Sequence, residues 1–154
     1  METVRIFVGN KPAHLVATAV LESSILRRTT TSVEFQSSWS QFSSRSGGWH
    51  PCMDKLPVFS GTAFGLYRWC IPELCGHEGK AIYLDADQVV LADIAELWNA
   101  LPAGKWLACV CRAEGIWGNE SIEAAAKRKN WDWTNTPQTS VMVMDCSLCQ
   151  ISAP

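Results

Sequence analysis

The sequence predicts an α/β domain with a largely parallel sheet that helices cover on both faces. Strand-like and helical segments alternate along the 154 residues. Several strand-like segments, such as 81–84, are apolar at every position, which is typical of strands buried on both faces. Polar residues follow two of these strands, at the edge where such sheets bind ligands.

Composition and charge describe an ordinary globular chain. It is 47% hydrophobic with a formal charge of −2, so a single domain with a real core is expected and nucleic acid is excluded as a partner. Residues 1–5 lack the features of a signal peptide, and no apolar run approaches the roughly 20 residues of a membrane helix. We therefore expect a cytoplasmic protein with no transmembrane segment and with reduced cysteines.

The first half of the chain predicts two strands and a helix. Residues 3–8 alternate like a strand and end at Gly9-Asn10, and residues 32–35 form a second short strand. Pro12 suits the first turn of a helix. The apolar face of that helix is predicted to consist of Leu15, Val16, Ala19, Val20 and Leu26. Residues 36–57, rich in Ser, Gly and Trp, predict a long loop.

The second half continues the alternation. Helical spacing covers residues 62–74, although Pro72 limits how far this helix can run. Asp93 is a good N-cap for a short helix through Trp98, with Glu96 at the third helical position. Strands are predicted at 81–84, 106–111 and 139–144, and residues 121–129 predict a charged surface helix.

Asp85 and Asp87 follow the buried strand at 81–84. Two carboxylates so close together repel each other and are costly beside a core. A divalent cation at the strand end would neutralise them and could clamp an anionic substrate, most simply a diphosphate. A turn or cap pair is the alternative, but the chain continues into the apolar run 89–91 without Gly or Pro.

Other polar residues leave alternatives open. Arg68, in an otherwise apolar helix, either snorkels, pairs with Glu73, or captures an anion. Histidines without metal-like or triad-like spacing are interpreted as surface or loop residues, namely His14, His50 and His77. The cysteines at 109, 111, 146 and 149 could form a zinc site, but small core hydrophobes are favoured. Trp131 and Trp133 could stack on a sugar, although loop packing is favoured.

Three segments together resemble a known family. They are RIFVGN at 5–10, YRW at 67–69 followed by IPEL at 71–74, and YLDAD at 83–87 followed by DIAELW at 93–98. They are similar to the retaining glycosyltransferases of family eight, the group that includes glycogenin and bacterial lipopolysaccharide galactosyltransferases. The resemblance runs from residue 4 to about 146. A bare DxD is weak, whereas DxD followed by DIxELW is fairly specific.

The resemblance implies a GT-A fold, Mn²⁺ with Mg²⁺ as the alternative, and transfer of a hexose from a UDP-sugar with retention. The acceptor is unknown and could be a glycan, a lipid or a protein, and a homodimer is one option for the assembly. The metal falls on Asp85 and Asp87. The donor-binding roles fall on Val8, Gly9, Asn10, Arg68, Asp85, Ala86, Asp87 and Gln138. The segment 138–142 departs from the family pattern at Gln138 and Ser140.

The family's third metal ligand, a histidine in a late motif, has no counterpart here. We therefore expect a single GT-A-like domain over 1–154 that lacks its C-terminal part, and no residue is assigned as nucleophile or base. A non-catalytic nucleotide-sugar-binding module is an alternative. A haloacid-dehalogenase-type phosphatase is a weaker one, because residues 85–90 also fit its D-x-D-x-V-V motif.

Overall fold

A computed structural model describes residues 2–37, 63–111 and 137–149. In this part of the chain five strands form one sheet, namely β1 (Val4–Gly9), β2 (Val33–Ser37), β3 (Lys80–Asp85), β4 (Leu107–Cys111) and β5 (Pro137–Asp145). Three α-helices of the described residues accompany it, namely α1 (Leu15–Leu26), α2 (Ala63–Leu74) and α3 (Ile94–Trp98). A short 3₁₀ turn, Pro12–His14, leads into α1. The prediction of an α/β fold is confirmed.

The sheet is mixed, with the order β2-β1-β3-β5-β4. β1 pairs in parallel with both β2 and β3, whereas β5 runs antiparallel to its neighbours β3 and β4. Four of the described strands therefore point the same way and β5 points the opposite way. Gly9 is the register partner of Asp85, so the carboxyl ends of β1 and β3 lie side by side.

The core has two layers, one on each face of the sheet. The α1-side layer is aliphatic, with one tryptophan, and includes Val4, Ile6, Val8, Leu21, Ile25, Ile82, Leu84, Ile94, Trp98 and Val143. The α2-side layer includes Phe7, Tyr67, Ile71, Ala81, Tyr83, Met142, Met144 and Cys146. Alternate residues of β1 and β3 enter opposite layers, as the period of two in a strand requires.

The predicted apolar face of α1 is wrong. Leu15, Val16, Val20 and Leu26 are 50–80% exposed, and the helix instead buries Thr18, Leu21, Ser24 and Ile25 against the sheet. The helix is apolar nearly all round, so its spacing did not distinguish the two faces. The buried hydroxyls are tolerated because they form hydrogen bonds, for example from the Val90 amide to Ser24 Oγ at 2.9 Å.

The remaining elements lie close to their predicted positions. α2 continues through Pro72, although proline has no N–H for the helical bond to the carbonyl four residues earlier. Asp93 caps α3, its side chain accepting a hydrogen bond from the Ala95 amide at 2.9 Å. This bond lowers the pKa of Asp93, as does a further one with Thr29.

Several predictions fall on other parts of the chain. Most of the predicted loop at 36–57 lies outside the described residues, although Gln36 and Ser37 belong to β2. The predicted helix at 121–129, the two tryptophans of its neighbouring loop and His50 also lie outside them. Among the described helices, none is long and apolar enough to cross a membrane.

Candidate functional site at the carboxyl ends of β1 and β3

The structure brings the polar residues that follow β1 and β3 to one edge of the sheet. Asp85 is the last residue of β3 and is paired with Gly9, the last residue of β1. The Ala86 amide donates to the Gly9 carbonyl at 3.2 Å, which extends the pairing of the two strands beyond Asp85. Asn10 and Asp87 follow directly, so this edge carries amide and carboxylate side chains together.

Asp85 is held by two residues of the α2 side. The Tyr83 hydroxyl donates to Asp85 Oδ1 at 2.5 Å, and Arg68 Nη2 lies 3.3 Å from the same oxygen. Tyr83 and Asp85 share one face of β3 because they are two residues apart. The carboxylate is therefore fixed through one oxygen by a hydroxyl and a guanidinium, both hydrogen-bond donors.

Arg68 is a buried cation that joins α2 to two strands. Its guanidinium carbon lies 4.7 Å from the centroid of the Tyr83 ring, a cation–π contact, and Nη1 donates to both the carbonyl and the hydroxyl of Thr139 on β5. Nε is buried and has no hydrogen-bond partner within the described part of the chain. The snorkelling interpretation is therefore wrong, since Arg68 points inward and its ion pair is with Asp85.

Tyr83 packs tightly between the two strand ends. A Cβ placed on Gly9 would lie only 2.7 Å from Tyr83 Cζ, so glycine is needed for the ring to occupy this position. Burial raises the pKa of Tyr83 far above its usual range, and the bond to Asp85 raises it further although the charge of Arg68 lowers it. Tyr83 is therefore a neutral donor to Asp85.

The Asn10 side chain is buried at the end of β1 and is oriented by its neighbours. Its Nδ2 donates to Thr18 Oγ1 at 3.1 Å, and Ser37 Oγ donates to its Oδ1 at 2.7 Å. Thr18 in turn donates to the His14 carbonyl at 3.0 Å. α1 and β2 thus fix the amide of Asn10 next to the end of β3.

Asp87 differs from Asp85 in being exposed. Its Oδ1 accepts a hydrogen bond from the Gln88 side-chain amide at 3.2 Å. In the described part of the chain the hydrogen bonds to the two carboxylates go to Oδ1. Hard carboxylate oxygens suit Mn²⁺ or Mg²⁺, which are often bound by one or two carboxylates and otherwise by water and substrate phosphates. The pair fits such an ion, although no group of three or more ligating side chains occurs among the described residues.

Three other predicted donor-binding residues are placed less directly. The Val8 side chain is buried in the α1-side layer, so only its backbone can face the site. Gln138 lies in β5 opposite Val110, and its side chain is outside the described atoms. Ala86 is buried between the two aspartates.

Three residues of the site received no role from the sequence, namely Tyr83, Thr139 and Ser37. Tyr83 could have been found, because it lies two residues before Asp85 and must share its face of the strand. Thr139 and Ser37 contact the site only through the pairing of β5 and β2 in the sheet, for which the sequence gives no local signal.

The family is established by comparison of sequences. The model of Glycosyl transferase family 8 matches residues 60–145, more than half of the chain and including α2, the DxD segment and β5. The chain therefore belongs to glycosyl transferase family 8. Because the DxD segment lies inside this match, the phosphatase interpretation is left without support.

Individual proteins match over part of their length. The chain is 28% identical over 131 residues to Protein CDI of Arabidopsis thaliana, covering 82% of this chain and 49% of that protein. It thus spans about half the length of the curated relative. The WbbM bifunctional glycosyltransferase superposes with a TM-score of 0.63 over 95% of this chain and 32% of its own, at 16% identity.

A second solved structure also has this fold. Galactosyltransferase LgtC, solved with donor and acceptor sugar analogues, superposes with a TM-score of 0.57 at 16% identity. The superposition covers 96% of this chain and 59% of LgtC. These similarities confirm the predicted GT-A fold.

Proposed function

We propose that this chain is the donor-binding part of a glycosyltransferase that transfers a hexose from a UDP-sugar with retention of configuration. A divalent cation, Mn²⁺ with Mg²⁺ as the alternative, would be held by Asp85 and Asp87. The observation that carries the proposal is the meeting of Gly9, Asn10, Arg68 and the two aspartates at one sheet edge in a family-8 chain.

The charges of the site support a cation and a diphosphate. Asp85 and Asp87 bring two negative charges, and Arg68 is the cation that the structure pairs with Asp85. A bound Mn²⁺ would add the positive charge that attracts a diphosphate and would stabilise charge on it as it departs. Arg68, although paired, adds a further positive charge beside the place where the diphosphate would lie.

The geometry of Asp85 supports its role as a prepared ligand. Tyr83 and Arg68 both contact Oδ1, so the carboxylate has a defined orientation before a metal arrives. Ligating carboxylates are commonly hydrogen-bonded in this way by neighbouring residues. Asp87, being exposed, would add the second ligand from the solvent side of the edge.

The end of β1 is proposed to hold the uridine. Its backbone at Val8 and Gly9 and the oriented amide of Asn10 offer donors and acceptors next to the metal position. Gln138 is proposed to contact the sugar. The acceptor, whether glycan, lipid or protein, would be chosen by residues beyond those described.

The proposal is tested by incubating the protein with a panel of UDP-hexoses and Mn²⁺, with water as the acceptor, and following UDP release. The anomeric configuration of the released hexose is read by NMR at early times, before its anomers interconvert. We expect UDP release that needs Mn²⁺ and a product with the anomeric configuration of the donor. Asp85→Asn should abolish release. Asp145→Asn is the matched control. It makes the same change at the last residue of β5, on the side of the sheet away from the site, where the Asp145 carboxylate accepts hydrogen bonds from Ser147.

Each outcome decides a different part of the proposal. An inverted product contradicts retention, and release that is equal without metal contradicts the role of the cation. Binding of UDP without turnover of any donor identifies the chain as a nucleotide-sugar-binding module. Absence of any UDP binding overturns the proposal.

A further inference from the structure

Three cysteines meet at the sheet edge opposite the candidate site. Cys75 follows the last residue of α2, whereas Cys146 and Cys149 lie in the segment that follows β5. The metal site proposed above uses none of them. Cys75 is half-buried, Cys146 is fully buried and Cys149 is 5% exposed.

The topology holds Cys75 and Cys146 together. After α2 a short turn leads into β3, whose first residue Lys80 is the register partner of Asp145. The Cys146 amide donates to the Gly79 carbonyl at 2.8 Å, so the turn that starts at Cys75 is fastened to the residue after β5. Cys75 packs against the α2-side layer that contains Cys146, and the two thiols share a hydrogen bond.

The surroundings make the two thiols unequal. The hydrogen bond from Cys146 lowers the pKa of Cys75, and the positive charge of Arg5 lowers it further, although burial and Glu34 oppose this. The same hydrogen bond and burial raise the pKa of Cys146. Arg5 is held nearby, because its Nε donates to the Lys80 carbonyl at 3.0 Å and its Nη2 to the Glu78 carbonyl.

Accessibility adds to this difference. Cys75 is the more exposed of the two and lies next to a cation, which is the setting of reactive cysteines. Cys146 is shielded from solvent and lies beside Cys75, where the resolving thiol of a redox-sensitive pair is found.

We propose that Cys75 and Cys146 form a reversible disulfide when the protein meets a low-molecular-weight disulfide such as oxidised glutathione. The Cys75 thiolate attacks one sulfur of the oxidant, forming a mixed disulfide and releasing one glutathione thiolate. Cys146, losing its proton, then attacks Cys75 Sγ and releases the second glutathione thiolate. Two electrons pass from the protein to the oxidant, and the two protons end on the two glutathione thiols.

The disulfide would join the ends of α2 and β5, the two elements that Arg68 and Thr139 already connect. It would close a long loop of the chain, so the oxidised protein should unfold at a higher temperature than the reduced protein. Reduction by excess thiol would restore the starting state.

The test exposes the reduced protein to oxidised glutathione and follows its intact mass, with peptide mapping of the linked cysteines. We expect the loss of two hydrogen masses, a Cys75–Cys146 cross-linked peptide, a higher Tm, and full reversal by dithiothreitol. Cys75→Ser should abolish the cross-link. Cys109→Ser, which alters another half-buried cysteine of the α2-side layer, is the matched control and should leave it unchanged.

Two further variants keep the result decisive. Cys146→Ser should leave a glutathione adduct on Cys75, and Cys149→Ser should leave the cross-link intact, each checked for folding by circular dichroism. A disulfide between Cys146 and Cys149, a link from Cys75 to any other cysteine, or a protein that stays fully reduced would overturn the proposal. So would an unchanged Tm after complete cross-linking.

Discussion

The two faces of the sheet differ although the same strands build both. On the α1 side β1 and β3 present aliphatic residues, such as Ile6, Val8, Ile82 and Leu84. On the α2 side the intervening positions of β3 carry Tyr83 and Asp85, which contact Arg68. A strand that alternates in this way stabilises the fold with one face and positions charged groups with the other.

This difference has an energetic reason. A buried arginine is tolerated where its charge is paired, and the guanidinium of Arg68 contacts a carboxylate, a carbonyl, a hydroxyl and an aromatic ring on the α2 side. The α1 side offers mostly hydrocarbon, so its contribution is apolar burial. Mutations on the α1 side should therefore mainly lower stability, whereas mutations on the α2 side should also weaken the binding of the metal and UDP.

The largest expected effect is on the α1 side. Ile82 of β3 is fully buried in the α1-side layer, so Ile82→Ala should lower the free energy of unfolding by about 2–5 kcal/mol through lost burial and a cavity. Urea unfolding measures this. The folded fraction should bind UDP as the parent protein does, and Leu148→Ala, at a 44% exposed position, should cost little. Loss of UDP binding by folded Ile82→Ala would show that the two faces are not separable.

Gly9→Ala tests the close packing between the strand ends. The added Cβ would collide with the Tyr83 ring, and overpacking of this kind costs about 1–3 kcal/mol. Because Tyr83 must then move away from Asp85, we expect weaker Mn²⁺-dependent UDP binding as well. Urea unfolding measures the loss of stability and calorimetry measures the UDP affinity. A variant with the stability and the UDP affinity of the parent protein would contradict the packing of Tyr83 against Gly9.

Tyr83→Phe removes the hydroxyl bound to Asp85 while keeping the ring under Arg68. Losing a hydrogen bond to a charged group should lower the free energy of unfolding by about 1.5 kcal/mol. The metal should bind more weakly in the variant, because Asp85 loses one of the two groups that orient it. Tyr67→Phe, which alters the other tyrosine of the same layer, is the control for metal binding and should leave it unchanged.

The raised pKa of Tyr83 also predicts a dependence on pH. The folded protein keeps this proton at alkaline pH, where an unfolded tyrosine with a pKa of about 10 has lost it. Unfolding then releases a proton, so the contribution of Tyr83 to stability is complete below about pH 10 and falls as pH rises above it. The free energy of unfolding, measured with urea across the alkaline range, should fall less in Tyr83→Phe than in the parent protein.

The smallest effect is expected at the N-cap of α3. Asp93→Ala removes the acceptor for the Ala95 amide and should cost about 1 kcal/mol of stability. Asp93→Asn keeps an acceptor and should cost less. α3 packs on the α1 side, so UDP binding should be unaffected in both variants. A change in UDP affinity in either variant would contradict the separation of the faces.

The sequence was informative where chemistry is local. The apolar run at 81–84 and the acids after it predicted β3 and the edge at which Asn10 and Asp85 meet. The Asp93 cap was predictable for the same reason, since an N-cap depends on neighbours along the chain. These features need no knowledge of distant contacts.

Other features depend on the assembled sheet. The exposed face of α1 was mispredicted because a helix that is apolar all round carries no directional signal. The reversed direction of β5 and the contact of Thr139 with Arg68 arise from strand pairing between distant segments. The sequence singled out Arg68 as a cation in an apolar helix, but it did not show that Asp85 is its partner.

The most direct test of the donor site is a calorimetric titration of UDP with and without Mn²⁺ into the parent protein, Asp87→Asn and the control Asp145→Asn. We expect Mn²⁺ to strengthen UDP binding in the parent and the control, and Asp87→Asn to lower the UDP affinity measured with Mn²⁺ by about tenfold or more. Equal UDP affinity in all three proteins, or UDP binding that ignores Mn²⁺, would contradict a metal held by Asp85 and Asp87.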